Sequence, residues 1–250
     1  MDCWEEKVSM KSKVFGIDLY LGNKVALIDY ILSRSNEEYE YIVTPNVNHV
    51  VVLSKDIELR KAYEKAKFRI LDSRILELVI GWFGVRPNEV IPGSTLTEEL
   101  FDLANNDCKT ITIIGAEGNE VEKVREKYPF SIIQHYNPPM GFINNKLEVD
   151  KCISYIINNP ADIVLYAVGC PRQEILASKV KDTMKAKGVG LCIGASISFI
   201  SGNIKRAPLL VQRLKLEWAY RVLQEPRRLA GRYISDFFNF TILVLKEAIK

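Results

Sequence analysis

The stretch KTITIIGAEGNEVEKVREK, residues 109–127, decides the fold. Its first part, residues 109–114, is rich in β-branched residues and predicts a strand. A turn with two glycines follows, and Gly118–Lys127 is predicted to be a helix. The same order of strand and helix continues to residue 193. Apolar, β-branched strands that alternate with helices predict an α/β protein, with a mostly parallel sheet covered by helices on both faces.

Working outward from this stretch, the pattern predicts six further strands and six further helices. The strands are residues 13–21, 39–43, 68–71, 130–134, 162–168 and 189–193. The helices are residues 24–32, 48–66, 73–83, 95–104, 148–158 and 172–186. Thr95 is the expected N-cap of its helix, with Glu98 three residues later completing a capping box.

Ligands of parallel sheets bind in the crevice at the carboxyl ends of the strands. The segments that follow predicted strands are residues 44–46, Asp72, and residues 115–117, 169–174 and 194–196. We expect them to line one cleft. Helix N-termini that begin there offer free N–H groups and a positive dipole end to phosphate.

Two of these segments have competing interpretations. Asp72 follows an apolar strand, where an aspartate either caps the next helix or acts as a general base at the mouth of the cleft. The turn GAEG, residues 115–118, is a weak phosphate signal because it lacks the third glycine of a dinucleotide fingerprint. A plain tight turn explains GAEG equally well.

The basic charge is concentrated in one late segment. Residues 202–232 read GNIKRAPLLVQRLKLEWAYRVLQEPRRLAGR and carry eight basic residues against two acidic ones, whereas the whole chain has a net charge of +3. Six of the eight are arginines, whose planar guanidinium matches phosphate oxygens bidentately. The alternative is a salt-bridged surface helix, because Arg213, Glu217 and Arg221 are spaced i, i+4, i+8. Charge alone does not decide between the two.

Composition excludes several classes of protein. The five cysteines are scattered and the chain has only two histidines, so we expect neither a disulfide framework nor a zinc site, and a reducing cytosol is favoured. The modest net charge argues against a general nucleic-acid binder. The longest uncharged run is broken by glycine, serine and asparagine, so no transmembrane helix is expected.

Five motifs occur along the chain in a fixed order. They are TPN (residues 44–46), PPMGF (138–142), GCPRQE (169–174), IKRAP (204–208) and LEWAYRVLQEPRR (216–228). Together they resemble the WecG/TagA/CpsF family of glycosyltransferases. The resemblance covers residues 14–233, and the last two motifs are long and specific.

The resemblance implies an architecture and a set of site residues. It implies a Rossmann-like glycosyltransferase core, residues 1–201, and a basic, helical C-terminal appendage, residues 202–250, that closes over the active site and meets the membrane. The catalytic base falls on Asp72. With the glycines of GAEG and PPMGF added, the candidate substrate-binding residues are Thr44, Asn46, Gly115, Gly141, Gln173, Arg206, Arg213, Arg221, Arg228 and Arg232.

The resemblance also implies an activity. Family members transfer a sugar, often N-acetylmannosamine, from a UDP-sugar to a polyprenyl-diphosphate-linked acceptor sugar, with inversion, and supply teichoic acid, capsule or exopolysaccharide synthesis in bacteria. No metal and no cofactor are expected, and the chain has no Asp-x-Asp pair to hold a divalent cation on a diphosphate. The expected location is cytoplasmic, peripheral on the inner face of the plasma membrane, with an anionic membrane surface as a partner. A homo-oligomer is left open, and no nucleic acid is expected.

Three positions depart from the family pattern. Ser73 stands where the family usually has glycine, Ser198 where it has aspartate, and Cys170 where it has a small residue. We expect these changes to affect the choice of donor sugar more than the reaction type. The alternative is a relative that keeps the fold and binds substrate without catalysis. A nucleotide-dependent oxidoreductase is the other rival, but a full GxGxxG and a catalytic Tyr-Lys or His are missing.

The last stretch, residues 233–250, reads YISDFFNFTILVLKEAIK. Its aromatic and aliphatic residues, flanked by basic ones, are typical of a segment that lies in the headgroup plane of a membrane. The alternative is that this stretch packs on the core or on a second subunit.

Overall fold

The computed structural model describes residues 11–208, 210–211, 214 and 216–249. Its centre is a six-stranded sheet in which all paired strands are parallel, in the order β4-β3-β8-β7-β5-β6. An antiparallel hairpin of β1 (Lys11–Val14) and β2 (Ile17–Tyr20) precedes it. The sheet strands are β3 (Glu40–Val43), β4 (Phe68–Arg69), β5 (Thr110–Gly115), β6 (Ile132–Tyr136), β7 (Ile163–Ala167) and β8 (Val189–Cys192).

Helices cover both faces of the sheet, so the predicted α/β architecture is confirmed. The helices are α1 (Lys24–Ser33), α2 (Val47–Leu53), α3 (Ile57–Lys65), α4 (Arg74–Trp82), α5 (Gly93–Asn106), α6 (Gly118–Lys127), α7 (Lys146–Asn158), α8 (Arg172–Asp182), α9 (Ser196–Ile200), α10 (Glu217–Gln224) and α11 (Pro226–Ala248). A short 3₁₀ turn, Phe142–Asn144, precedes α7.

The side chains of the strands alternate between two apolar clusters, one on each face. Tyr41 and Val43 point to the cluster that contains residues of α2, α3, α4, α7 and α8, whereas Ile42 joins the cluster with α1, α5, α6 and α9. Both clusters consist of residues that are at most 9% exposed. Apart from the edge strand β6, the strands of this sheet are buried on both faces, so their carboxyl ends are the parts that remain open to a ligand.

Several predicted element boundaries are wrong. Residues 13–21, predicted as one strand, contain a turn between β1 and β2, and the helix predicted over residues 172–186 ends at Asp182. The helix predicted over residues 48–66 is two helices, because Asp56 accepts a hydrogen bond from the backbone of Leu59 and starts α3 anew. The capping box at Thr95 does not form, since α5 already begins at Gly93, directly after Pro92. The N–H of Gly93 donates to Asp72, so a side chain from a distant loop takes the place of a local cap.

The appendage ends in α11, a helix of 23 residues that lies against the core. Asn48 of α2 donates to both carboxylate oxygens of Asp236, at 3.1 and 3.0 Å, and Phe240 enters the apolar cluster of that face. Helix α10 packs on α11 through the rings of Trp218 and Tyr233, whose centroids are 6.0 Å apart. Within the described residues, no helix is both long and apolar enough to cross a bilayer.

Candidate active site

A cavity of about 1380 Å³ opens at the carboxyl ends of the strands. As predicted, residues that follow β3, β4, β5, β7 and β8 line it together. The appendage forms the opposite wall, to which its described residues contribute five basic side chains: Lys205, Arg206, Arg221, Arg228 and Arg232. The cavity is therefore enclosed by two parts of the chain that are far apart in sequence, with the polar strand ends on one side and most of the arginines on the other.

Asp72 lies on the core side of this cavity, half-buried, three residues after the end of β4. Its Oδ1 accepts a hydrogen bond of 2.7 Å from the N–H of Gly93, at the N-terminus of α5. Among the described residues, its Oδ2 has no hydrogen-bond partner. Capping of α4 is performed instead by Ser73, whose Oγ accepts from the N–H of Leu76 at 3.2 Å. One carboxylate oxygen of Asp72 is thus available for chemistry.

The surroundings of Asp72 raise its pKa to about 7, chiefly because burial disfavours the charged carboxylate. The hydrogen bond from Gly93 acts in the opposite direction. Two appendage residues also act on this group: Glu217 raises its pKa and Arg221 lowers it. A carboxylate with a pKa near neutral is suited to general-base catalysis, because it is ionised at working pH and still binds a proton strongly.

Thr44 and Asn46, the polar residues of TPN, lie in the cavity wall but are engaged within the protein. Thr44 is 4% exposed, and its hydroxyl donates to the carbonyl of Cys192 at 2.8 Å, joining β3 to β8. The side-chain oxygen of Asn46 caps α2 by accepting from the N–H of His49. Both side chains therefore fix the shape of the strand ends.

Gln173, the polar residue of GCPRQE, is 1% exposed and uses both ends of its amide. Its nitrogen donates to Oε1 of Glu174 at 2.8 Å, and its oxygen accepts from the N–H of Gly194 at 3.0 Å. Gln173 therefore joins the loop after β7 to the loop after β8. Its place in the cavity wall agrees with the prediction, but its hydrogen bonds are those of a structural residue.

The two predicted glycines differ in position. Gly115 lines the cavity with φ +92°, and a Cβ there would lie 2.6 Å from a methyl group of Val168. At the N-terminus of α6, the side chain of Glu120 accepts a hydrogen bond from the N–H of Glu117. Because this N–H is already used within the protein, the geometry of GAEG favours a tight turn over a phosphate site. Gly141 is not a cavity-lining residue; its φ of +80° turns the chain into the 3₁₀ helix.

Two of the predicted arginines are held by carboxylates. Arg206 is 3.2 Å from Glu98 of α5, and Arg228 donates to Glu225 at 2.8 Å. The Arg206 contact bridges the appendage and the core, whereas the Arg228 contact is local. Both pairs are solvent-accessible, and exposed pairs of this kind contribute little to stability.

Arg221 and Arg232 lie against aromatic rings, unlike Arg206 and Arg228. The guanidinium of Arg221 lies 5.2 Å from the ring centre of Phe199, and its Nε is buried with no hydrogen-bond partner among the described residues. Its nearest recorded carboxylate contact, to Glu225, is 4.0 Å long. Arg232 lies over the ring of Tyr233 at 5.4 Å. Both arginines line the cavity, and among the described residues neither has a carboxylate oxygen closer than 4.0 Å, so their donors are available to an anion.

Arg213 lies outside the described residues, so its predicted role stays a prediction. Several cavity-lining residues were not named as substrate-binding candidates, among them Arg172, Glu217 and Trp218. All three stand inside quoted motifs, GCPRQE and LEWAYRVLQEPRR, and the position within the motif was the signal that could have identified them. Ser198, which departs from the family pattern, also lines the cavity.

The chain was compared with known proteins. The profile of the Glycosyl transferase WecG/TagA/CpsF family matches residues 12–250. A relative from Bacillus subtilis (strain 168), an N-acetylglucosaminyldiphosphoundecaprenol N-acetyl-beta-D-mannosaminyltransferase, is 28% identical over 231 residues, 90% of this chain and 87% of its own length. A protein of the same name from Bacillus spizizenii is 30% identical over 213 residues, 83% of this chain and 79% of its own length.

The family match covers nearly the whole chain, including both the sheet and the appendage that together enclose the cavity. The motifs from TPN to EPRR all fall within it. The chain therefore belongs to the WecG/TagA/CpsF family and is a glycosyltransferase.

Proposed function

We propose that this enzyme transfers N-acetylmannosamine, or a related hexose, from a UDP-sugar to a polyprenyl-diphosphate-linked acceptor sugar in bacterial cell-surface polysaccharide synthesis. The observation that carries the proposal is Asp72, a half-buried carboxylate with a pKa of about 7 and one unbonded oxygen in the shared cavity. The two Bacillus relatives support the substrates, because their names specify an N-acetylglucosaminyl-diphosphoundecaprenol acceptor and an N-acetylmannosaminyl group.

The proposed reaction is a single displacement. Oδ2 of Asp72 takes the proton from the acceptor sugar hydroxyl, and that oxygen attacks the anomeric carbon of the donor. The bond between this carbon and the UDP oxygen breaks, UDP leaves, and the configuration at the carbon inverts. General-base assistance of this kind is worth about 10²–10⁴-fold in rate.

Negative charge develops on the departing diphosphate, and we assign its stabilisation to Arg221. Arg221 faces the cavity, has a buried and unbonded Nε, and interacts electrostatically with Asp72. The N-terminus of α8, which begins at Arg172 in the cavity wall, places the positive end of its helix dipole on the core side. This arrangement neutralises the leaving group with protein donors, so we propose a transfer that needs no divalent cation.

The appendage also fits an enzyme whose acceptor is held in a membrane. One side of α11 is packed on the core through Asp236 and Phe240, with Leu243 and Val244 partly buried against the same cluster. A second set of large apolar side chains, in the helix and directly after it, is exposed. These are Ile234, Phe237, Phe238, Ile242, Leu245 and Ile249, each at least 52% exposed. We propose that this face lies on the cytoplasmic surface of the plasma membrane, with the arginines that line the cavity near the anionic headgroups.

The membrane contact is tested by flotation with liposomes that contain anionic lipid. The double variant Phe237→Ser/Phe238→Ser should lose most of its liposome binding. Trp82→Ser is the matched control, because Trp82 is 75% exposed but lies on α4. Equal recovery of the wild type and the double variant with the liposomes would refute the proposed contact.

The catalytic proposal is tested by UDP release from a panel of UDP-sugars, with a lipid-diphosphate-N-acetylglucosamine as the acceptor. We expect release with UDP-N-acetylmannosamine, undiminished by EDTA, and an inverted anomeric centre in the product by NMR. Release from no donor and acceptor pair would favour the catalytically silent alternative. Release that stops with EDTA and returns with Mg²⁺ would contradict the metal-independent mechanism.

A further inference from the structure

Below the cavity, three metal-ligating side chains converge. One ligand atom each from His49, Cys170 and Glu174 lies within 4.8 Å of the others. His49 belongs to α2, Cys170 follows β7, and Glu174 is in the first turn of α8. His49 and Cys170 also line the cavity, so the cluster is accessible from the cavity. The mechanism proposed above uses none of these three side chains.

The cluster contains buried polar atoms without partners. Glu174 is 0% exposed; its Oε1 accepts from Gln173, but its Oε2 has no hydrogen-bond partner among the described residues. Nδ1 of His49 is likewise buried and unbonded. A buried carboxylate oxygen without a donor is costly, and in native proteins such an atom usually has a partner.

Within the part of the chain that the structure describes, no lysine or arginine forms an ion pair with Glu174. Nε2 of His49 is 3.9 Å from its Oε1, but burial lowers the pKa of His49, so the ring is neutral at neutral pH. Arg232 further lowers the pKa of the ring, while Asp236 raises it. Burial, and the neighbouring Glu174 through its charge and a hydrogen bond, raise the pKa of the Cys170 thiol. A cation bound among the three groups would stabilise the carboxylate of Glu174 and favour the thiolate form of Cys170.

The donor set determines which cation fits. One imidazole nitrogen, one sulfur and one carboxylate oxygen suit Zn²⁺, whereas Mg²⁺ and Ca²⁺ take oxygen ligands. Tetrahedral Zn²⁺ with bonds of about 2.0–2.3 Å places its ligand atoms about 3.3–3.8 Å apart. Each pair of these atoms therefore needs to move closer by about 1.5 Å at most, given their 4.8 Å limit. Gln173, which donates to Oε1 of Glu174, would orient the carboxylate as a second-shell partner.

We propose that His49, Cys170 and Glu174 bind one Zn²⁺, with the fourth position open toward the cavity and occupied by water. The ion ties α2 and α8 to the loop after β7 beneath the strand ends, and has a structural role. On binding, the thiol of Cys170 releases its proton to solvent and coordinates as the thiolate. The sequence predicted no zinc site, because the cysteines are scattered and the chain has only two histidines.

The test uses the full-length protein, freed of metal with a chelator and titrated with Zn²⁺ and with Co²⁺. We expect one equivalent to bind, and Co²⁺ to produce a thiolate-to-cobalt charge-transfer absorption. Cys170→Ser should abolish that absorption and weaken Zn²⁺ binding at least tenfold. Cys108→Ser is the control, because Cys108 is an exposed thiol outside the cluster and its loss should leave binding unchanged.

A second measurement tests whether Zn²⁺ stabilises the folded protein. Zn²⁺ in excess should raise the thermal midpoint of the wild type and leave that of Cys170→Ser unchanged, because a ligand stabilises only the state that binds it. The proposal is overturned if the folded wild type binds no stoichiometric Zn²⁺, or if Cys170→Ser binds it equally well. Neither result depends on sugar transfer, so failure here is separate from failure of the proposed function.

Discussion

The two walls of the cavity use their polar side chains in opposite ways. On the core wall, Thr44 and Gln173 are almost fully buried, and each makes hydrogen bonds inside the protein. On the appendage wall, Arg221 and Arg232 face the cavity and lie against aromatic rings instead of close carboxylates. This difference is what we expect if the core wall sets the shape of the cavity and holds the proposed base, while the arginines of the appendage wall bind the charged substrate.

The largest effect is expected at Asp72, because this residue of the core wall keeps one carboxylate oxygen without a hydrogen bond to the described residues. Asp72→Asn should lower kcat by about 10²–10⁴-fold, because the amide cannot accept the acceptor proton. The side-chain oxygen can still accept from Gly93, so circular dichroism and thermal unfolding should show a folded protein. A variant that turns over at the wild-type rate would remove Asp72 from the mechanism.

The next largest effect should fall on the appendage wall. Arg221→Ala should reduce kcat by about 10²-fold, the cost typical of losing one donor that stabilises transition-state charge. Arg227→Ala is the matched control, since Arg227 is exposed and does not line the cavity. Equal loss in both variants would mean that the general positive charge of the appendage matters, and not the position of Arg221.

On the core wall, substitution of the buried Gln173 should lower the stability of the protein. Gln173→Leu keeps the volume of the side chain but leaves the N–H of Gly194 and the carboxylate of Glu174 without partners. Buried groups left unsatisfied cost about 1–3 kcal/mol, measurable by urea unfolding. Gln224→Leu, at an exposed position of α10, should change the unfolding free energy by less than about 0.5 kcal/mol. A stable Gln173→Leu variant that has lost UDP-sugar affinity would instead identify Gln173 as a ligand contact.

The smallest effect is expected where the two walls meet. Arg206 pairs with Glu98 at 3.2 Å in a solvent-accessible contact, so Arg206→Ala should cost only about 0.2–1 kcal/mol of stability. Thermal unfolding in low and high salt measures it, and the difference between variant and wild type should shrink in high salt. A rise in KM for the UDP-sugar, at unchanged stability, would show that Arg206 binds the donor.

The sequence predicts the sheet well because its signals are local. Alternating β-branched strands and helices identify the parallel sheet, and the crevice rule correctly brings the ends of β3, β4, β5, β7 and β8 to one cavity. The start of α5 was missed because its first N–H is satisfied by Asp72, 21 residues away in the chain. The residues next to Thr95 in the sequence do not reveal this contact between Asp72 and Gly93.

Within the site, the sequence identifies which residues reach the cavity but not what each one does there. Motif position correctly places Gln173 and Thr44 in the wall, but their internal hydrogen bonds depend on loops from other strands. The near-neutral pKa of Asp72 likewise depends on burial and on Glu217, which arrives from the appendage. Such long-range contacts have no signature in the spacing of residues along one segment.

The pH dependence of kcat/KM tests the central claim most directly. Because burial raises the pKa of Asp72 to about 7 and only the ionised carboxylate is a base, activity should fall about tenfold per pH unit below 7 and level off above it. The residual activity of Asp72→Asn should lack this acid limb. A wild-type profile that stays flat from pH 5 to pH 8, or the same limb in Asp72→Asn, would contradict a near-neutral Asp72 base.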